Sequence, residues 1–138
     1  MAITQAFCNS YKQELLQGIH LAADTYKIAL YTSSAALDKT TTVYASTNEV
    51  VGTGYVAGGT ALAGFTVSIS GDTAYIDFTT DPSWATATIT ARGALIYNSS
   101  RSNKACIVLD FGSDFISTAG TFQVTFPAAG VTALIRIA

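Results

Sequence analysis

The sequence predicts a mainly β protein: an antiparallel β-sandwich, jelly-roll-like, with one N-terminal α-helix over about residues 4–18. Two observations carry the prediction. The period of the apolar residues changes from about four to two after residue 19, and the alternating runs that follow are bounded by turn residues. No strand–helix–strand spacing indicates a parallel sheet. With 138 residues, we expect residues 1–138 to form a single domain.

The N-terminal segment has the pattern of an amphipathic helix. Phe7, Tyr11 and Leu15 recur every four residues and would form one apolar stripe. Thr4 is the expected N-cap, and Gly18 lies where the helix should end. Such a stripe needs an apolar partner, either the sheet of its own domain or a neighbouring subunit.

The rest of the chain alternates between strand patterns and turns. Ser70-Gly71-Asp72 separates two alternating runs and indicates a β-hairpin. A glycine segment, residues 52–59, excludes a helix at that point. Strands are predicted at 26–31, 65–69, 74–78, 85–91, 94–97, 105–111, 121–126 and near 131–137, with a short one within 43–51, and loops at 32–42, 98–103 and 112–120.

The composition favours a surface that is buried against other protein. Charged residues make up 12% of the chain, about half the usual share of a soluble domain, while hydrophobic residues make up 49%. Thr, Ser, Ala and Gly replace the charges, and such a surface costs little to desolvate. We therefore expect assembly with other subunits.

Several partner classes are disfavoured by charge and hydropathy. The net charge is -2 and the basic residues are scattered, so nucleic-acid binding is not expected. No apolar run approaches the roughly 20 residues that span a bilayer, so no membrane is expected either. The N-terminus lacks the pattern of a signal peptide, which predicts that the product stays where it is translated.

The residues available for catalysis are few, and we predict that the chain is not an enzyme and needs no cofactor. His20, the single histidine, lies in an apolar setting typical of a structural histidine. Two carboxylate pairs, Asp77 with Asp81 and Asp110 with Asp114, lie at strand ends where Asp usually caps turns. A calcium ion at such a pair is the open alternative.

For the cysteines, the tryptophan and two of the tyrosines, the sequence allows more than one interpretation. Cys8 and Cys106 are predicted to be reduced and buried, with a disulfide as the alternative. Trp84 is predicted to anchor the core or a sheet edge. Alternatively, Trp84 lines a shallow sugar-binding face together with Tyr55 and Tyr97, as in a lectin-like module.

Five short segments resemble a family of small virion proteins from tailed bacteriophages. They are KIALYT at 27–32, TNEV at 47–50, GTGY at 52–55, Trp84, and ARGA at 91–94. Each segment by itself is weak evidence for the resemblance. Their order and spacing over roughly residues 3–137 carry it.

The resemblance implies a structural component of a phage particle, located in the virion after assembly in the bacterial cytoplasm. A capsid decoration (cement) protein is expected first, and a neck, tail or fibre protein is the alternative. The implied partners are the major capsid protein or other virion proteins, and copies of the chain itself. The residues expected at interfaces are Phe7, Tyr11 and Leu15 of the helix, with Tyr55 and Trp84.

Overall fold

In the computed structural model, which describes residues 2–138, two antiparallel sheets are accompanied by one short helix. The larger sheet has the strand order β1-β7-β6-β2-β3, and the smaller one has the order β4-β5-β8. The mainly β, antiparallel class predicted from the sequence is confirmed. The elements are β1 Ala6–Phe7, α1 Asn9–Leu16, β2 Tyr26–Tyr31, β3 Thr60–Ala61, β4 Ala63–Ser70, β5 Thr73–Thr80, β6 Ser83–Asn98, β7 Lys104–Gln123 and β8 Ile135–Ile137.

The core lies around the centre of the larger sheet, where β2, β6 and one half of β7 pair side by side. Strand β2 runs antiparallel to β6 from Tyr26 opposite Asn98 to Tyr31 opposite Gly93. Residues 26–31, 93–98 and 104–109 of these strands are buried at nearly every position, so both faces of this part of the sheet are covered. The smaller sheet joins this core through Tyr26, whose ring stacks on Phe65 with centroids 5.1 Å apart.

The helix is shorter than predicted, although its end is where the sequence places it. A strand, β1, pairs with β7 before the helix begins at Asn9, and the Thr4 N–H donates to the carbonyl of Leu37 instead of capping the helix. Residues 4–8 are extended because a sheet edge is available to them. At the other end, Gly18 adopts φ +72° and donates its N–H to Leu15, which is the expected left-handed stop.

The predicted loop at 112–120 is wrong, because β7 continues through it. β6 and β7 form one long hairpin with register shifts along it. In its distal half, residues 83–92 with 110–123, β6 keeps Trp84, Ala87 and Ile89 in the core, while most of β7 is exposed. The polar residues at 112–120 lack the alternating apolar positions of a buried strand. Their sequence alone therefore does not predict a strand, and only the pairing with β6 shows one. The Ser117 hydroxyl donates to the carbonyl of Ala87, and Thr88 Oγ1 accepts from the Ala119 N–H.

The β4–β5 hairpin has the predicted form. Ser70 and Thr73 flank a two-residue turn, and Gly71 at its first position has φ +59°, which this turn type requires. The final strand is shorter than expected and covers Ile135–Ile137. Within 43–51 the chain forms isolated bridges, Val43 with Lys104 and Glu49 with Tyr31, rather than a strand.

Candidate interaction surfaces

Most of the predicted interface residues lie inside this chain's own core. Tyr11, Tyr55 and Trp84 are buried, and Phe7 and Leu15 are half-buried against the core. The Trp84 ring meets Phe122, its partner across the β6–β7 ladder, at a centroid distance of 6.1 Å. Other parts of the same chain thus cover Tyr11, Tyr55 and Trp84, and their expected place at an interface stays a prediction.

The same burial removes the aromatic face suggested for sugar binding. Tyr97, like Tyr55 and Trp84, is buried, and its hydroxyl donates to the carbonyl of Gly58 at 2.7 Å. Its ring stacks on Tyr44 with centroids 4.6 Å apart. None of the three suggested rings is placed to stack on a ligand in this conformation.

A buried carboxylate, that of Glu49, holds the segment that carries the TNEV and GTGY motifs. It accepts hydrogen bonds from the hydroxyls of Tyr44 and Tyr55, both at 2.6 Å, and from the Gly58 N–H at 2.7 Å. The Tyr55 hydroxyl also accepts the Leu30 N–H. Burial and then the bond to Glu49 raise the pKa of Tyr55, so the phenol stays protonated and donates.

Glycines let this segment lie directly on the backbone of the sheet. A Cβ at Gly54 would approach Ala87 Cα to 2.8 Å, and one at Gly59 would lie 2.6 Å from the carbonyl carbon of Ile28. Both residues also have positive φ, +84° and +77°. The motif residues thus have structural roles: a carboxylate clamp and close backbone contacts that fasten residues 48–59 to β2 and β6.

His20 belongs to a polar cluster beneath the helix. Its Nδ1 accepts from the buried amide nitrogen of Asn98 at 3.1 Å, and its Nε2 donates to the Glu14 carboxylate at 3.0 Å. Asn98 also donates to Asp24 at 2.9 Å, and Arg101 binds that carboxylate with two nitrogens, at 2.9 and 3.1 Å. The cluster joins α1, the 17–25 segment and the β6–β7 turn, as expected of a structural histidine.

The Asp24 carboxylate gives the cluster a predicted pH dependence. Hydrogen bonds from Arg101, together with those from Asn98 and the Leu21 N–H, hold the pKa of Asp24 well below its usual range. Because the pKa is lowered in the folded state, the stabilisation is present above the unfolded pKa of about 3.9 and is lost as the pH falls through the folded value. We expect wild type to exceed Asp24→Asn in urea midpoint near neutral pH. This difference should begin to narrow below about pH 4 and close only as the pH falls through the lowered pKa of the folded state.

A carboxylate outside the cluster supplies the control for this pH series. Asp72 is exposed in the β4–β5 turn, and among the described residues its side chain accepts no hydrogen bond. The Asp72→Asn variant should therefore track wild type at every pH. If the difference in urea midpoint between wild type and Asp24→Asn stayed constant down to about pH 2, the role of the ionised carboxylate would be contradicted.

Of the two Asp pairs expected at strand ends, only Asp81 lies at one, between β5 and β6; Asp77 is buried within β5, and Asp110 and Asp114 lie within β7. Asp81 accepts the N–H of Phe126 at 3.0 Å, and Asp110 accepts the N–H of Gly112 at 2.9 Å. Asp114 lies 3.3 Å from the Arg92 guanidinium. Within residues 2–138, no group of three or more His, Cys, Asp or Glu side chains is arranged to hold a metal ion.

Cys8 and Cys106 are neighbours in space, and both thiols are unpaired in the structure. The Cys8 N–H donates to the Cys106 carbonyl at 2.9 Å, continuing the β1–β7 register toward the helix. Burial raises the pKa of the Cys8 thiol to about 11, and burial also raises that of Cys106. Both therefore remain protonated near neutral pH, as predicted for buried, reduced cysteines.

Two surfaces each carry several exposed apolar side chains, and the first is a groove on the distal half of the β6–β7 hairpin. This distal groove has a volume of about 350 Å³ and is bordered by Phe111, Phe115, Ile116 and Phe122. Ile116 is 71% exposed, and it also lines an adjoining depression that reaches Val51. Sequence analysis missed this surface, although the Phe115-Ile116 pair among Ser, Thr and Gly residues is a visible signal.

The second surface is the inner face of the β4–β5–β8 sheet where it extends past the core. Paired residues share a face, so Val67 lies beside Ile76 and Ile69 beside Ala74. At the core end the face is covered, but Val67 and Ile69 are 65% and 69% exposed. This apolar sheet face thus continues into solvent.

In residues 2–138, no helix is both long enough and apolar enough to cross a bilayer. Comparisons with protein families, with curated proteins and with solved structures returned no match.

Proposed function

We propose that this chain is a structural component of a tailed bacteriophage particle and acts as a capsid decoration protein. Its partners in that role are the major capsid protein and copies of itself. The proposal starts from the resemblance of the five sequence segments and is supported by the character of the surface. The distal groove is the observation that carries it: large apolar side chains are exposed on a chain that is only 12% charged.

The rest of the molecule supports a binding role rather than a catalytic one. The ionisable side chains with strong hydrogen bonds, such as Glu49 and Asp24, are used to fasten loops to the sheets. The aromatic rings that would favour a sugar-binding module, including Trp84, are buried in the core. Exposed apolar groups with few charges nearby are typical of protein–protein contact.

A decoration protein acts through thermodynamic linkage between its own binding and the stability of the shell. A subunit that binds only the mature shell, and not its immature or disassembled forms, stabilises that shell by mass action. In a symmetric shell many identical sites are filled, so a modest free energy per site adds over the particle. The subunit itself contributes rigidity, which here comes from the Glu49 clamp and the long β6–β7 hairpin.

A reconstruction of the intact particle by electron cryomicroscopy tests the proposal. We expect density for this chain in many copies over the head surface, with the distal groove against a neighbouring subunit. Density confined to a single ring at the neck, or to the tail or fibres, would overturn the decoration role and retain a virion role. Absence of the chain from the particle would overturn both.

A binding experiment identifies the contact surface. Heads assembled without this chain are mixed with purified Ile116→Asp, and we expect its occupancy on the heads to fall about tenfold or more, because a buried carboxylate without a partner is costly. The control is Leu16→Asp, since Leu16 is 90% exposed on the helix and outside the groove. Equal occupancy of both variants would exclude the groove as the contact.

A further inference from the structure

Strand β4 is an open edge of the smaller sheet. It is the terminal strand in the order β4-β5-β8, and its ladder partner is β5. Among the described residues, no backbone hydrogen bond joins residues 63–70 to any loop or to another strand. One side of β4 therefore presents backbone donors and acceptors to solvent.

The turn geometry shows which backbone groups these are. In a hairpin with a two-residue turn, the residues that flank the turn exchange both of their backbone hydrogen bonds. Ser70 is such a flanking residue, opposite Thr73, so alternate positions from Ser70 backward bond to β5. The N–H and C=O groups of Phe65, Val67 and Ile69 consequently point away from β5, toward the open edge.

Strand β4 lacks the features that usually prevent an exposed edge strand from pairing with another chain. The chain carries no charged residue from Val50 to Gly71 and no proline in that stretch. Lysine, proline and bulges are the usual protections of an exposed edge strand. The positive φ of Gly64 lies at the start of β4, and the pairing with β5 is regular from Phe65 onward.

We propose that β4 pairs antiparallel with β4 of a second copy of this chain, with Val67 opposite Val67 across a two-fold axis. In this register Phe65 lies opposite Ile69 of the second copy, and the outward backbone groups of both strands bond each other. The two three-stranded sheets become one six-stranded sheet. The exposed side chains of Val67 and Ile69 then contact their counterparts across the new ladder.

The sequence of β4 favours a second copy of this chain as the partner that pairs with its open edge. Opposite residues of an antiparallel pair share a face, so apolar positions meet apolar positions only in registers that keep Phe65, Val67 and Ile69 together. The register centred on Val67 does this. Because β4 is uncharged, no like-charge repulsion opposes two identical strands, and a two-fold axis closes the contact as a dimer.

Sedimentation of the purified full chain tests the pairing. We expect a concentration-dependent dimer, and Val67→Lys should raise the dissociation constant at least about tenfold, because two like charges would face each other at the axis. Leu16→Lys, at an exposed apolar site away from β4, should leave it unchanged. A wild-type monomer at every concentration, or a dimer that tolerates Val67→Lys, would overturn the proposal.

Cross-linking tests the register. In a hydrogen-bonded antiparallel pair opposite Cα atoms are about 5.5 Å apart, so a short bismaleimide should join two Val67→Cys chains. The matched variant is Ile69→Cys, whose two copies would be offset by four residues, roughly 13 Å along the strand, and should not be joined. Efficient coupling of Ile69→Cys instead would overturn the register.

The pairing depends on the edge of β4 alone and goes beyond the proposed place in a phage particle. A monomer in sedimentation would overturn the dimer and leave the particle reconstruction unaffected. Conversely, absence of the chain from the particle would leave the β4 result intact.

Discussion

We expect Gly59→Ala to lower the free energy of unfolding by about 3–4 kcal/mol. The left-handed backbone at Gly59, φ +77°, costs a residue with a Cβ about 1–2 kcal/mol. The new Cβ would also clash with the carbonyl oxygen of Ile28 and lie 2.8 Å from Ala29 Cα, and such overpacking adds about 1–3 kcal/mol. Urea unfolding followed by the fluorescence of the single, buried Trp84 measures the change.

Gly18 provides a matched control for this substitution. It has nearly the same φ, +72°, but an added Cβ would meet no atom within 4 Å. Gly18→Ala should therefore cost only the backbone penalty, about 1 kcal/mol. If the two variants were equally stable, residues 52–59 would not lie against the backbone of β2 as described.

Glu49→Ala is expected to lower the free energy of unfolding by about 3 kcal/mol. The substitution removes three hydrogen bonds to a buried carboxylate and leaves the hydroxyls of Tyr44 and Tyr55 and the Gly58 N–H without that acceptor. Thermal unfolding and urea titration at neutral pH measure the loss. We also expect faster amide exchange in residues 48–59, since the clamp fastens this segment to the sheet.

Two milder variants separate the clamp from general damage to the core. Tyr44→Phe removes one donor and keeps the ring stacked on Tyr97, so its cost should be about 1 kcal/mol. Asp114→Asn alters an exposed carboxylate and should change stability by less than about 0.5 kcal/mol. A Glu49→Ala variant as stable as Asp114→Asn would show that the three hydrogen bonds contribute nothing net.

The Glu49 clamp gives structural roles to the residues of the TNEV and GTGY segments. In TNEV and GTGY, the glutamate accepts from the tyrosine, and the glycines allow close approach to β2 and β6.

Local patterns were sufficient for elements that carry their own signal. Alternating apolar residues predicted β2 and the β4–β5 hairpin, and Gly71 predicted the turn between those two strands. Gly18 predicted the helix end. Each of these features is decided by residues that are neighbours in sequence, through side-chain periodicity or a backbone conformation that glycine permits.

Tertiary contacts decided the remaining features. Residues 112–120 are a strand because β6 supplies hydrogen bonds along their length, a partner that their polar sequence does not announce. The helix begins at Asn9 rather than near residue 4, because residues 6–7 pair with β7. Tyr11 and Trp84 are buried although their spacing equally suited an interface, because exposure depends on which layer covers a side chain. The same dependence leaves two apolar side chains exposed. Val67 is exposed because β4 extends past the layer that covers its core end, and Ile116 is exposed because it lies opposite the exposed Thr90, on the face of the hairpin away from the buried Ile89.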